Sequence, residues 1–204
     1  NVNVVILQSK GTTFCAGASF NELLSVTDFE GGRKFFSGFA DVINAMRKCS
    51  KIIIGKVQGK AVGGGVGLIS ACDIAFAYQD AAIKLSEIGI GIGPFVIEPA
   101  VSRKIGKTAM TEMTLQPNVW QSADWALAKG LYADIFDSQA EVTEAVDHLA
   151  NRVASYNPEA LAEMKKVFWE GTENWDKLLY DRAAISGKLV LSDFTKNALN
   201  EFKK

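Results

Sequence analysis

Half of the glycines in this chain are crowded into one stretch. Of eighteen in 204 residues, nine (55, 59, 63, 64, 65, 67, 89, 91 and 93) lie between residues 55 and 93. Glycine weakens the interior of long helices and strands, and it permits turns and close backbone approaches that other residues resist. A segment this rich in glycine must be built from short elements joined by tight turns. The remaining composition is ordinary: 48% apolar, 22% charged and a net charge of -1, as in soluble globular proteins. A chain of this length buries roughly 70% of its unfolded surface and needs no cross-links to fold.

Several functions drop out early. One histidine, His148, leaves a single candidate for histidine-based metal binding or catalysis. It lies beside Asp147 in a helical stretch and reads as a surface residue. The three cysteines, Cys15, Cys49 and Cys72, show no CxxC spacing. They read as small buried apolar groups rather than a disulfide framework or metal site. The near-zero charge, with no Lys/Arg block, argues against broad nucleic-acid binding. No apolar run approaches the ~20 residues of a membrane-spanning helix. No targeting segment is visible, which points to the cytoplasm.

Residues 1–8 read as a buried strand with no initiator Met or leader before it. The chain is therefore expected to be the remainder, or the ordered part, of a longer protein. A helix is predicted over 30–48, where Phe35, Phe36, Phe39, Val42, Ile43 and Met46 recur at three- and four-residue steps. Ile52–Val57, Ile74–Tyr78 and Ala82–Leu85 read as strands, and Val66–Cys72 as a short helix. Beyond about residue 100 helices dominate. Gly106 is expected to close one helix, and Ser122 and Gly130 to bracket another. Ser138-Gln-Ala-Glu141 is a capping box, and Asn157-Pro158 is a cap followed by proline at the first helical turn. The expected division is a strand-rich core over 1–105 and a helical region over 106–204: an α/β fold with a helical tail.

Two turns share one logic. Phe14–Ser19 and Val62–Val66 each follow a strand and open a helix. The first N–H groups of a helix lack internal partners, and two such groups converging on one point make an oxyanion hole. A phosphate loop fits poorly. GxxxxGK[ST] is absent, and neither 63–67 nor 89–93 matches GxGxxG. A serine hydrolase fails as well, because no serine–histidine pair falls near these turns.

Taken in order, the motifs resemble those of the enoyl-CoA hydratase/isomerase (crotonase) family. Phe14-Cys-Ala-Gly-Ala-Ser19 is similar to its FCAGAD segment. Gln58–Leu68 resembles NGxAxGGGxEL, and Ala71-Cys-Asp73 the ACD that follows. Leu85-Ser-Glu-Ile88 with Gly91 and Pro94 resembles PExxLGxxP. Ala126–Leu131 resembles AxxxGLV, and Ala198–Phe202 a terminal GxxAF. The resemblance implies a core of repeated strand-strand-helix turns and C-terminal helices that pack as a homotrimer or dimer of trimers. It also implies a front part of the fold that precedes residue 1.

The same resemblance implies an acyl-CoA thioester substrate, with CoA as part of the substrate and no separate cofactor or metal. The N–H groups of Ala18 and Gly64 would hold the thioester oxygen. Cys15, Ala16 and Ala18 would face CoA through backbone atoms. Gly63, Gly67, Pro94, Phe95 and Phe202 would line the acyl pocket, where Phe20, Leu23 and Trp120 are weaker candidates. The implied base is Glu87, at the second of two positions where the family's hydratases carry glutamate. At the first position this chain has Gly67. Asp73 reads as structural, Asp80 as a turn residue, and Glu98 as a helix cap before Pro99.

Three readings follow. The first, which the resemblance narrowly favours, is an enoyl-CoA hydratase, with a methylglutaconyl-type substrate of leucine catabolism implied by the GVGL and LSE patterns. A second is a Δ3,Δ2-enoyl-CoA isomerase, which needs one base only. The third is a non-catalytic acyl-CoA-binding protein.

Overall fold

The computed structural model of the chain describes residues 2–201. Its strands form two four-stranded sheets. The chain enters through β1 (Val4–Leu7) and β2 (Thr13–Cys15), followed by the helices α1 (Phe20–Ser25) and α2 (Phe29–Lys48). The next turn is β3 (Ile52–Val57), β4 (Lys60–Val62) and α3 (Gly64–Ala71). The third is β5 (Ile74–Tyr78), β6 (Ala82–Lys84), a 3-10 turn (Glu87–Ile90) and α4 (Glu98–Leu115). Within each turn the first strand joins one sheet and the second strand joins the other. The orders are β1-β3-β5-β8 and β2-β4-β6-β7, where β7 is Gln121–Ser122 and β8 is Asp134–Phe136. All pairings are parallel except β6 with β7. This is the expected strand-strand-helix spiral.

The remaining helices are α5 (Ala123–Ala128), α6 (Gln139–Ala154), α7 (Pro158–Phe168), α8 (Trp175–Leu189) and α9 (Asp193–Glu201). No helix of the described residues is long and apolar enough to cross a membrane.

Strand β3 shows how the layers form. Its β-branched residues suit a pleated, buried surface, and alternate residues face opposite ways. Ile53 and Val57 point into the main core between the sheets. Ile52 and Ile54 point outward to Val142, Val146 and Val153 of α6, which covers the other face of that sheet. The opening strand departs from its reading as buried. β1 stands at one edge of its sheet, and its residues are half-buried or exposed.

The expected division between 105 and 106 falls at a kink inside α4. Gly106 leaves helical geometry with φ +78°, so it closes one helical stretch as expected, and a second stretch follows directly after it. Both sheets also draw a strand from the second half of the chain, so the helical region completes the core. The caps fall as expected: Ser138 Oγ accepts from Glu141 N at 3.2 Å, and Asn157 Oδ1 accepts from Glu159 N at 2.9 Å.

Asp73 has the structural role expected of it. Its Oδ2 pairs with Lys165 Nζ at 2.9 Å and accepts from Ile53 N at 2.7 Å, while its Oδ1 accepts from Trp169 Nε1 at 2.8 Å. Lys165 also donates to Lys51 O at 2.7 Å and is 2% exposed. This buried cluster ties α7 and the segment after it to the first sheet. Removing one partner of a buried pair strands the other charge. Lys165→Ala is expected to lower the unfolding free energy by about 3–5 kcal/mol, measured by urea denaturation at neutral pH.

Candidate active site

Strands β2, β4 and β6 run parallel, so their C-terminal ends lie side by side. The chain leaving each strand supplies one part of the site: residues 16–18 from β2, 63–64 from β4 and 86–87 from β6. Together they border one cavity that opens to solvent. Its other walls are largely apolar and include Leu23, Phe36, Phe39, Ile92 and Ile97.

The turn after β4 holds the first feature. Gly63 has φ +53°, a left-handed conformation that favours glycine. Its N–H donates to Lys84 O at 2.9 Å, and its carbonyl accepts from Val66 N at 2.8 Å. Gly64 then opens α3, where the N–H has no intrahelical acceptor. A Cβ at Gly64 would lie 2.8 Å from Phe39 Cζ, so an aromatic ring packs directly on this turn. The turn after β2 approaches from the side: a Cβ at Gly17 would meet Val62 O at 3.1 Å, and one at Gly65 would meet Cys15 Cβ at 2.7 Å. Ala18 and Gly64 thus border the same cavity, as an oxyanion hole built from their N–H groups requires.

Glu87 supplies the second feature. A Cβ on Gly63 would come within 2.5 Å of Glu87 Oε1, so the carboxyl packs onto the turn where glycine leaves room for it. Oε2 is buried and has no hydrogen-bond partner. Burial pushes the Glu87 pKa up to about 7, while backbone hydrogen bonds at Glu87 and Ser86 act in the opposite direction. The 3-10 turn that carries Glu87 ends at Gly91, with φ +81°. A Cβ there would lie 2.6 Å from Phe194 Cδ1 and 2.7 Å from Thr195 Oγ1, so α9 packs against the back of this turn.

The structure therefore brings Ala16, Ala18, Gly63, Gly64, Glu87, Pro94 and Phe95 together around one cavity, with Phe20 and Leu23. Cys15 stands behind the turn that follows β4, its side chain against Gly65. Trp120 lies elsewhere, where its ring stacks under Lys60 and Lys84. Phe202 lies outside the described residues.

Gly67 requires a correction: it is buried in α3 and does not line the cavity. A Cβ at Gly67 would collide with Ile97, lying 2.7 Å from Ile97 Cβ. The space into which an acid at 67 would project is filled by an isoleucine thirty residues away in sequence. Nothing local marks Ile97 for this role, and the sequence reading missed it. Phe39 was read only as part of an amphipathic stripe. Ser86 and Ser186 also border the cavity unforeseen.

The other acids lie away from the cavity. Glu98 opens α4 itself, with Ile97 at the cap position. It binds Arg182, Lys107 and Ser102. Burial pushes its pKa up, but these hydrogen bonds prevail and hold it down at about 2. Asp80 sits in the turn joining β5 to β6, at the opposite end of that sheet, and His148 is exposed on α6. Among the described residues, Glu87 is the one carboxylate that borders the cavity.

Parallel strand-strand-helix turns arranged in two sheets make a fold that known proteins share. A sequence model of the enoyl-CoA hydratase/isomerase family matches residues 1–200, and the chain belongs to that family. Bacillaene synthase dehydratase PksH of Bacillus subtilis is 34% identical over 147 residues, 69% of this chain and 54% of the relative. The peroxisomal Delta(3,5)-Delta(2,4)-dienoyl-CoA isomerase of Arabidopsis thaliana is 28% identical over 188 residues, 85% of this chain and 66% of the relative. The chain thus spans between half and two thirds of the length of these relatives. The crystal structure of an enoyl-CoA hydratase from Mycobacterium avium superposes with a TM-score of 0.86 at 26% identity, covering 99% of this chain and 76% of the other.

Two measurements test the site. Gly67→Glu is expected to lower stability by about 1–3 kcal/mol through overpacking against the stiff, β-branched Ile97, and to restore no activity. Gly67→Ala with Ile97→Ala should recover stability relative to Gly67→Ala alone in thermal melts. The second measurement concerns Glu87, whose folded pKa of about 7 lies above the usual 4.5. The folded state then holds this proton more tightly than the unfolded state. The penalty of the buried carboxylate is absent below pH 4.5, grows as pH rises to about 7, and is constant above. Relative to wild type, Glu87→Gln should gain on the order of 3 kcal/mol of stability between pH 4 and pH 8, read from denaturation at both pH values.

Proposed function

We propose that the protein acts on an enoyl-CoA thioester, using Glu87 alone to move a proton between carbons of the acyl chain. In this reading the thioester oxygen lies between the N–H groups of Ala18 and Gly64. Cys15, Ala16 and Ala18 present backbone atoms to the CoA arm at the mouth. Glu87 takes a proton from C2 of a 3-enoyl-CoA. The resulting dienolate places its negative charge on the oxygen held by the two N–H groups, and Glu87 returns the proton at C4. Backbone donors aimed at such a charge are each worth roughly 3–4 kcal/mol of barrier. A carboxyl titrating near neutrality is suited to both halves of the shuttle.

The observation that carries this reading is the Gly67–Ile97 contact. It puts an apolar side chain where a second acid would hold or activate water, which favours the double-bond shift over hydration. A second reading, hydration or dehydration across C2 and C3 by Glu87, draws support from the dehydratase name of the 34% identical relative. A methylglutaconyl thioester is one substrate of this kind to test.

Incubating the protein with 2-enoyl-, 3-enoyl- and 3-methylglutaconyl-CoA, and identifying products by mass and chromatography, separates the two. The expected outcome is a shifted double bond with no gain of 18 mass units. Hydrated product as the main species would reverse the order. Glu87→Gln is expected to lower the rate of either reaction by at least about 100-fold, within the usual worth of a positioned acid–base group. An undiminished rate would overturn Glu87 as the base, and no turnover of any of the three thioesters by wild type would leave only the binding-protein reading.

A further inference from the structure

A second groove adjoins the acyl cavity, and one short stretch of chain, Gly93-Pro94-Phe95, borders both. The groove is open to solvent. Its walls include the apolar side chains Ile88, Met110, Leu115 and Ile185. Ile88 follows the catalytic Glu87 directly, so only one thickness of chain separates the groove from the reacting end of the cavity.

Phe95 is the bulkiest part of this partition. Its ring folds back over the preceding glycine: a Cβ on Gly93 would lie 2.5 Å from Phe95 Cε2 and 2.7 Å from Cζ. Its backbone is pinned from the other side. Arg182 Nη1 of α8 donates to Phe95 O at 3.3 Å, and the same nitrogen pairs with Glu98. The main chain at 95 is therefore tied to α8, and Phe95 carries the largest side chain that borders both spaces.

We infer that Phe95 is a specificity-determining residue that limits the acyl group to a short chain, by closing the cavity off from the groove lined by Ile88, Met110, Leu115 and Ile185. The inference rests on the thioester reading above and adds to it the acyl-length class. Shortening the side chain at 95 joins the two spaces and gives an alkyl tail an apolar surface to cover. Each methylene so buried contributes about 0.8 kcal/mol, so a few of them change affinity by more than tenfold.

The test measures binding, so it is independent of which reaction the site performs. Dissociation constants of butyryl-, octanoyl- and dodecanoyl-CoA are determined by calorimetry for the full-length protein, Phe95→Leu, Phe95→Ala, and Phe95→Ala with Leu115→Trp. Wild type is expected to bind the two longer thioesters no more tightly than butyryl-CoA. In Phe95→Ala the ratio of octanoyl to butyryl affinity should rise by at least about tenfold, with Phe95→Leu between. Leu115 is 71% exposed, so tryptophan there is tolerated and narrows the groove, and it should cancel the gain. An unchanged ratio in all variants, or a gain that Leu115→Trp leaves intact, would overturn the assignment while the thioester reading stands. Failure of wild type to bind any of the three would overturn both.

Discussion

The site depends on one close approach: the carboxyl of Glu87 against the backbone of Gly63. At most positions a buried carboxyl would meet a Cβ, a backbone donor or water. Here a left-handed glycine removes the Cβ, and one carboxylate oxygen is left without a partner in an apolar cavity. That desolvation brings the acid towards neutral pH. The same glycine turn starts α3, so the buried carboxyl of Glu87 and the first free N–H of that helix come from adjacent pieces of chain.

The parallel pairing of β2, β4 and β6 makes this juxtaposition possible. Each strand ends on the same side of its sheet, and each is followed by the turn that contributes to the site. The other sheet and α6 hold this arrangement from behind, with α7 tied on through Asp73 and Lys165. Helix α8 reaches the site through Arg182, which donates to the Phe95 carbonyl, and through Ser186, which borders the cavity; next to it Gly187 packs closely on α2, where a Cβ on Gly32 would lie 2.6 Å from the Gly187 carbonyl oxygen. The helical half of the chain therefore shapes the cavity that the strand-rich half supplies with chemistry.

Much of this was readable along the chain. Glycine spacing, helix caps and β-branched strands are local signals, and they located the two turns and most helices, while Glu87 was singled out through the family resemblance. The readings that failed needed knowledge of what lies across space. β1 looks buried by composition but stands at a sheet edge. Gly67 was placed in the pocket because its motif borders the active turn, but the helix turns it towards Ile97.

By itself the sequence determined the family, the spiral of short parallel strands and the identity of the carboxylate, because these follow from residue types at fixed short spacings. Only the tertiary structure decided what surrounds that carboxylate: Ile97 where a second acid would reach, and Phe95 between two apolar spaces. The glycine cluster marked where backbones come close. What came close to each glycine was set by side chains from distant segments, through excluded volume, which no local pattern encodes.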